Sequence, residues 1–199
     1  MTPESKSTSA AISHQKALLR QALRGKLQAL SQLSRLEASA RACALMRRQK
    51  HWNTARAVLF YAPAGHELDI WPLLTEALAL GKLVALPQFD AKIGQYIPCR
   101  IRDPAQDVNP GRFGIQEPAS HCVPFPISRL DFILVPGLAF DLHGRRLGRG
   151  KGFYDLLLTA VRGFTCGVAF DEQIVHDIPV EPHDIRLNCI LTPTRWIEQ

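Results

Sequence analysis

Leu19, Leu23, Leu27 and Leu30 recur at intervals of three and four residues, the spacing that stacks side chains along one side of a helix. This predicts an amphipathic helix over about Ser13–Leu30. A second run, Arg35–Lys50, is rich in Ala, Leu and Arg and predicts another, so the chain opens with a helical pair. The period then changes. Ala55–Tyr61 is an apolar run of strand length, Asp69–Leu80 has helical spacing closed by Gly81, and Leu83–Leu86 reads as a strand stopped by Pro87. Strand, helix and strand in that order make a βαβ unit.

From Asp90 to Ser128, prolines and glycines break the pattern, and pieces such as Tyr96–Ile101 fit irregular or antiparallel strands. Regularity returns with Phe132–Val135, whose apolar run fits a strand buried on both faces. A long polar loop follows, then a predicted helix over about Gly152–Val161 and strands at Thr165–Phe170 and Cys189–Leu191. The fold class expected is α/β: a mostly parallel sheet with helices on both faces, a Rossmann-like three-layer arrangement carrying the N-terminal helical pair. Residues 1–12, rich in Ser, Thr and Ala, read as a disordered lead, and residues 13–199 as a single domain. In such folds ligands bind beyond the carboxyl ends of the strands, where the loop after Val135 lies.

Composition narrows the classes further. Apolar residues make up 46% and charged residues 21% of the 199, values of a globular chain rather than a disordered or fibrous one. The richest apolar stretch, Leu130–Phe140, contains Asp131, Pro136 and Gly137, and no run approaches the ~20 residues of a membrane span. The five cysteines are odd in number, widely spaced and never arranged as CxxC, so they indicate neither a disulfide framework nor a zinc site and fit a reducing, cytoplasmic setting. A net charge of +6 favours an anionic partner and leaves nucleic acid, nucleotide and polyanionic cofactor open.

In Gly144–Asp155, glycines 144, 148, 150 and 152 interleave with Arg145, Arg146, Arg149 and Lys151, just ahead of a predicted helix. Glycines let backbone N–H groups approach a phosphate, the helix N-terminus adds partial positive charge, and the cations neutralise phosphate oxygens. The register fits neither GxGxxG nor the P-loop, because Lys151 is followed by Gly. Phe153 and Tyr154 offer rings for a flat ligand, and Asp155 offers a carboxylate for Mg2+ or for the helix dipole. Asp184 is a weaker second acid, with loop capping as the alternative. Lys16, Arg20 and Arg24 stack like charges along one face of the first helix, either as a solvated stripe or as a cradle for an anion. Glu67 and Asp69 follow the strand that ends near Ala62, again at a carboxyl end.

The runs Val135-Pro-Gly-Leu-Ala-Phe-Asp141 and Gly144-x-Arg146-Leu-Gly-Arg-Gly-Lys-Gly-Phe-Tyr-Asp155 closely resemble the signature of the 5-formyltetrahydrofolate cyclo-ligase family, also called 5,10-methenyltetrahydrofolate synthetase. The resemblance also covers Lys16-x-x-x-Arg20, Tyr61 to Glu67, Ile115-Gln-Glu-Pro118, Phe170-x-x-Gln173 and Pro179 to Asp184, leaving out the N-terminal lead and parts of Asp90–Asn109. It implies ATP- and Mg2+-dependent cyclisation of 5-formyltetrahydrofolate to the methenyl form, with release of ADP and phosphate. Carried onto this chain, it places ATP at Lys16, Arg20, Arg146, Leu147, Gly148, Arg149, Gly150, Lys151 and Gly152, and the folate at Ala62, Glu67, Phe153 and Tyr154. Catalytic roles fall to Arg149, Lys151 and Tyr154, and Mg2+ to Asp155 and Asp184. The expected partner is the folate, with or without a polyglutamate tail; nucleic acid and membrane are not expected, and the protein is expected to be a monomer. Phe153 stands where Tyr is frequent in the family, which removes a hydroxyl but keeps a ring. Trp71 and Pro72 replace a more polar stretch at the pocket rim. Two other readings are a related ATP-binding enzyme or regulator acting on another substrate, and a basic RNA-binding module. Against the latter, the glycine-aromatic signature of an RRM sheet is missing.

Overall fold

The computed structural model describes residues 3–111, 114–150, 152–181 and 184–199, with the side chains of 3–9 and 153 outside that description. Between Pro3 and Gly25 the chain has no glycine and no second proline, so nothing in it stops a helix. Helix α1 accordingly runs Pro3–Gln28, and the stretch from Pro3 to Ile12, expected as a disordered lead, belongs to it. A proline at the first helical position fits, because its missing N–H has no intrahelical partner there. Helix α2 (Gln32–Met46) starts at Ser31, whose hydroxyl accepts the Ser34 N–H, and it buries Ala42, Cys43 and Met46. A short α3 (Lys50–Thr54) buries Trp52.

Strand β1 (Ala57–Leu59), helix α4 (Trp71–Ala79) and strand β2 (Leu83–Asp90) form the predicted βαβ unit, and β3 (Gln95–Ile101) returns antiparallel to β2. Strand β2 runs through Pro87 instead of stopping there. Its pairing with β1 ends at Ala85, so no neighbour on that side needs the missing N–H, and on the other side Pro87 faces Pro98, a pair that exchanges no ladder bond. The irregular middle holds α5 (Pro104–Asp107) and a hairpin of β4 (Val108–Pro110) with β5 (Gln116–Pro118). Next come β6 (Phe132–Pro136), β7 (Ala139–Asp141), β8 (Arg146–Leu147), α6 (Phe153–Ala160), β9 (Phe164–Val168), β10 (Ile174–Val175), β11 (Cys189–Leu191) and β12 (Trp196–Glu198).

The main sheet has the order β12-β11-β9-β6-β1-β2-β3, with parallel pairing from β11 to β2 and an antiparallel strand at each edge. Alternate residues feed two cores. Val58 and Phe60 pack with Trp52, Met46 and Leu73 from α2, α3 and α4, while Ala57 and Leu59 pack with Ile133, Val135 and the α6 residues Leu157 and Leu158. Burial on both faces is why Phe132–Val135 is apolar at every position: each of the four is 0% exposed. The α/β class with its N-terminal helices is thus as the sequence predicts.

A smaller sheet, β10-β7-β8, sits beside the carboxyl end of β6. Helix α1 covers it, packing Leu23 against Ala139, Leu147 and Ile178. The carboxylate of Asp141, 0% exposed, accepts the His143, Arg145 and Ile178 backbone N–H groups at 2.9–3.1 Å.

The turn from α6 into β9 is tight. A Cβ at Gly163 would lie 2.8 Å from the Asp131 carbonyl and closer still to that of Leu130, both backbone atoms in register with the Phe164 N–H bond to Asp131. Gly163→Ala should therefore destabilise by about 1–3 kcal/mol, the usual cost of overpacking. Thermal unfolding should show a midpoint roughly 2–12 °C lower, and an unchanged midpoint would mean that the turn opens freely.

Candidate active site

From β1 the chain proceeds to β2 on one side and returns through β6 on the other, so the order reverses between β1 and β6. Side chains beyond the carboxyl ends of two such strands diverge and leave a crevice. Here it is a cavity of about 400 Å³, floored by Tyr61 and Ala62 after β1 and by Pro136 and Gly137 at the end of β6. Pro87 of β2, Tyr96 of β3 and the hairpin residues Gln116 and Glu117 form one wall; Arg146, Gly148, Arg149, Gly152, Tyr154 and Asp155 form the other. Arg24 closes it from α1.

The second wall is fixed from several directions. Arg146, its side chain 4% exposed, donates from Nη1 to the Pro136 carbonyl at 3.2 Å, forms an ion pair with Asp155 and lies 5.8 Å over the Tyr154 ring. The glycine loop leaves β8 and enters α6 at Gly152, which caps the helix with φ +68°; Gly150 has φ +98°. Both values lie in the region that favours glycine. The Arg20 guanidinium packs beside Gly150, and its Nε donates to the Gly148 carbonyl at 2.9 Å. Two members of the α1 stripe, Lys16 and Arg20, are therefore engaged within the fold, while Arg24 is exposed at the cavity. Lys16, 7% exposed, donates to Asp184 at 2.7 Å and Glu181 at 2.9 Å; burial alone would lower its pKa, but these two carboxylates hold the net shift upward.

Opposite the loop, the turn after β1 presents Glu67. One carboxylate oxygen accepts the Ala64 N–H at 2.8 Å and the other accepts Arg149 Nη2 at 2.6 Å. Glu67 is only 9% exposed in its side chain, against 43% for Arg149. Burial, then the Glu67 charge, pushes the Tyr154 phenol up, with Arg146 opposing. The same two causes raise Tyr61, whose hydroxyl donates to the Leu68 carbonyl at 3.2 Å. Both phenols stay protonated and able to donate.

Of the residues expected at the site, the cavity brings together Ala62, Glu67, Arg146, Gly148, Arg149, Gly152, Tyr154 and Asp155. Leu147 is buried beneath it in the α1 contact, Arg20 braces the loop from behind, and Gly150 is exposed at its tip. Lys151 and the Phe153 side chain lie outside the described residues. The two proposed metal acids have different surroundings: Asp155 lines the cavity beside Arg146, whereas Asp184 accepts Lys16 and the Glu181 N–H and is not in the lining. Among the described residues, the group of Asp107, His121 and Cys122 has metal-ligand proximity, but it is not part of this cavity, and Asp107 is already engaged by His121 and by the Arg102 and Asp103 N–H groups. The sequence reading missed Tyr96, Gln116, Glu117 and His66; the first three come from the proline-broken middle, and His66 is identifiable only by its neighbour Glu67.

A sequence model of the 5-formyltetrahydrofolate cyclo-ligase family matches residues 12–193. The 5-formyltetrahydrofolate cyclo-ligase of Mycolicibacterium smegmatis is 38% identical over 154 residues, covering 72% of this chain and 77% of its own. That of Escherichia coli is 34% identical over 145 residues, covering 71% and 80%. Among solved structures, the 5,10-methenyltetrahydrofolate synthetase of Aquifex aeolicus matches with a TM-score of 0.83 and 32% identity over 92% of both chains. The synthetase of Mycoplasma pneumoniae, at 20% identity and a TM-score of 0.72 over 89% of this chain and 98% of its own, shares the fold.

Proposed function

The chain belongs to the 5-formyltetrahydrofolate cyclo-ligase family, and from that premise we propose that its cavity joins ATP and 5-formyltetrahydrofolate end to end and closes the methenyl bridge at the expense of ATP. The observation that carries the reading is the meeting of one acid, Glu67, with the loop cation Arg149 across a cavity that Tyr154 also lines.

In this reading the pterin lies between the β1 end and the hairpin wall, its donor edge turned to Glu67. The formyl oxygen on N5 attacks the terminal phosphorus of ATP, and the bond to ADP breaks. N10 then attacks the phosphorylated carbon and gives up its proton to solvent, the bond from that carbon to oxygen breaks as phosphate leaves, and the N5–C–N10 bridge remains. Phosphoryl transfer depends on position and charge neutralisation rather than covalent help, which is what a glycine loop with Arg146, Arg149 and Lys151 supplies. Arg146 is locked by Pro136 and Asp155 and so serves as fixed charge. The protonated Tyr154 hydroxyl can donate to the formyl or phosphoryl oxygen. Arg20 holds the loop at the Gly148 carbonyl, and Lys16 ties α1 to Glu181 and Asp184.

Magnesium suits the oxygen donors here: the Asp155 carboxylate faces the cavity, and phosphate oxygens complete such a site. When bound, it screens phosphate charge. Asp184 is assigned to the same ion only through family resemblance, and its present partners include Lys16 and the Glu181 N–H. Arg145, Arg146 and Arg149 are each paired within the fold, to Asp141 and Asp177, to Asp155 and to Glu67, so the loop's arginines are organised around the cavity rather than as an open basic surface.

With 5-formyltetrahydrofolate, ATP and Mg2+, near-UV absorbance of the methenyl product should rise in step with phosphate release. A flat trace from folded protein would remove the reading. No described helix is long and apolar enough to cross a membrane.

A further inference from the structure

His66 is half-buried in the turn after β1, and its Nε2 meets Arg149 Nη2, the same nitrogen that bonds Glu67 at 2.6 Å. A guanidinium only donates, so the imidazole nitrogen facing it must carry a lone pair. The turn itself is fixed: Ala64 N–H donates to Glu67, and Arg35 of α2 donates to the Gly65 carbonyl. Arg149, by contrast, sits on a glycine loop and is 43% exposed, so its direction is set by these two contacts rather than by packing.

We propose that His66 is a positioning residue for Arg149: as neutral imidazole it shares the guanidinium with Glu67 and fixes where the loop's exposed cation meets phosphate. This rests on the reading of Arg149 as a phosphate-side cation. It adds a residue outside the glycine loop to the nucleotide's determinants, and it makes nucleotide affinity depend on the His66 proton. The charged groups around the ring are Arg149, Glu67, Arg35 of α2 and Arg24 of α1. Burial, then Arg149, with smaller parts from Arg35 and Arg24, lowers the His66 pKa below its ordinary 6.5 against the opposing pull of Glu67. The ring is therefore neutral at pH 7. As pH falls through the depressed pKa it gains a proton, loses its acceptor and repels the guanidinium.

The test compares the KM for ATP and the KM for 5-formyltetrahydrofolate in wild type, His66→Gln and His66→Ala across pH. His66→Gln keeps a neutral acceptor, so it should hold the wild-type KM at neutral pH. Its difference profile against wild type cancels the titration of ATP's own phosphate and should isolate an acid-side rise in the ATP KM that only wild type shows. His66→Ala should raise the ATP KM about fivefold at neutral pH, the size of one net hydrogen bond, with the folate KM and thermal midpoint little changed. A wild-type ATP KM in His66→Ala, or an identical acid-side rise in His66→Gln, overturns the proposal. Imidazole titration by NMR in the ligand-free protein gives a readout independent of turnover: Arg149→Ala should move the His66 pKa upward, and an unmoved value overturns the contact. A wild type that titrates this way but does not cyclise the folate would sink the functional reading and leave the contact standing.

Discussion

Asp141→Ala is expected to destabilise the protein by about 3–5 kcal/mol, the cost of breaking one partner out of a buried charged network. The carboxylate is 0% exposed and accepts three backbone N–H groups, from His143, Arg145 and Ile178. Arg145 adds its charge, with Nε 2.6 Å away as an ion pair rather than an aligned hydrogen bond. Alanine would leave all of these donors facing a cavity. Asparagine keeps the shape but turns an NH₂ toward donors, so it should recover little. Urea unfolding checks the stability, and the thermal midpoint should fall by roughly 6–20 °C. Because Asp141 ties the β7–β8 hairpin that carries Arg146, turnover should fall even where the variant remains folded. A loss below 1 kcal/mol would mean that water replaces the carboxylate.

Glu67→Ala should lower kcat/KM for 5-formyltetrahydrofolate by about 100-fold, the upper end of what one hydrogen bond to a charged group contributes. The nearly buried carboxylate is held by the Ala64 N–H and Arg149, so it presents one fixed acceptor edge to the cavity. With the pterin placed as proposed, removing it leaves those donors unpaired, and a site built around a polar partner loses discrimination steeply when that partner goes. Nucleotide binding should survive, weakened only a few-fold by the loss of one of the two contacts that direct Arg149, since Arg146, Arg20 and the loop backbone are untouched. Steady-state kinetics and nucleotide binding measured on the same preparation separate the two. Unchanged turnover would remove the substrate assignment while leaving the phosphate loop intact.

What the sequence revealed depended on how local the cause was. Strands β6 and β11 are readable because burial on both faces demands apolar residues at every position, and Cys189–Leu191 matches its predicted bounds. Strands β7, β8 and β10 are two or three residues long, too short for a period, and β8 contains Arg146 because its side chain serves the site rather than a core. Pro87 looked like a stop because a lone sequence cannot say that β1 ends two residues earlier in the pairing. The Lys16–Arg20–Arg24 stripe was visible, but its partners Glu181, Asp184 and Gly148 lie more than a hundred residues away, and only the fold reveals them. The glycine loop was the most readable part of the site because its chemistry is contiguous.

The same long reach sets a schedule. Lys16 closes on Glu181 and Asp184 across sequence separations of 165 and 168. Contacts so distant are made late, after loop-closure entropy has been overcome by nearer ones. During synthesis the N-terminal helix emerges first and must wait, its cations unpaired, until nearly the whole chain has followed. A ribosome-bound fragment that ends just short of residue 184 can therefore own the whole of the glycine loop's sequence yet lack the carboxylate that pairs with Lys16, and α1 gains that tie only after the segment is free to fold.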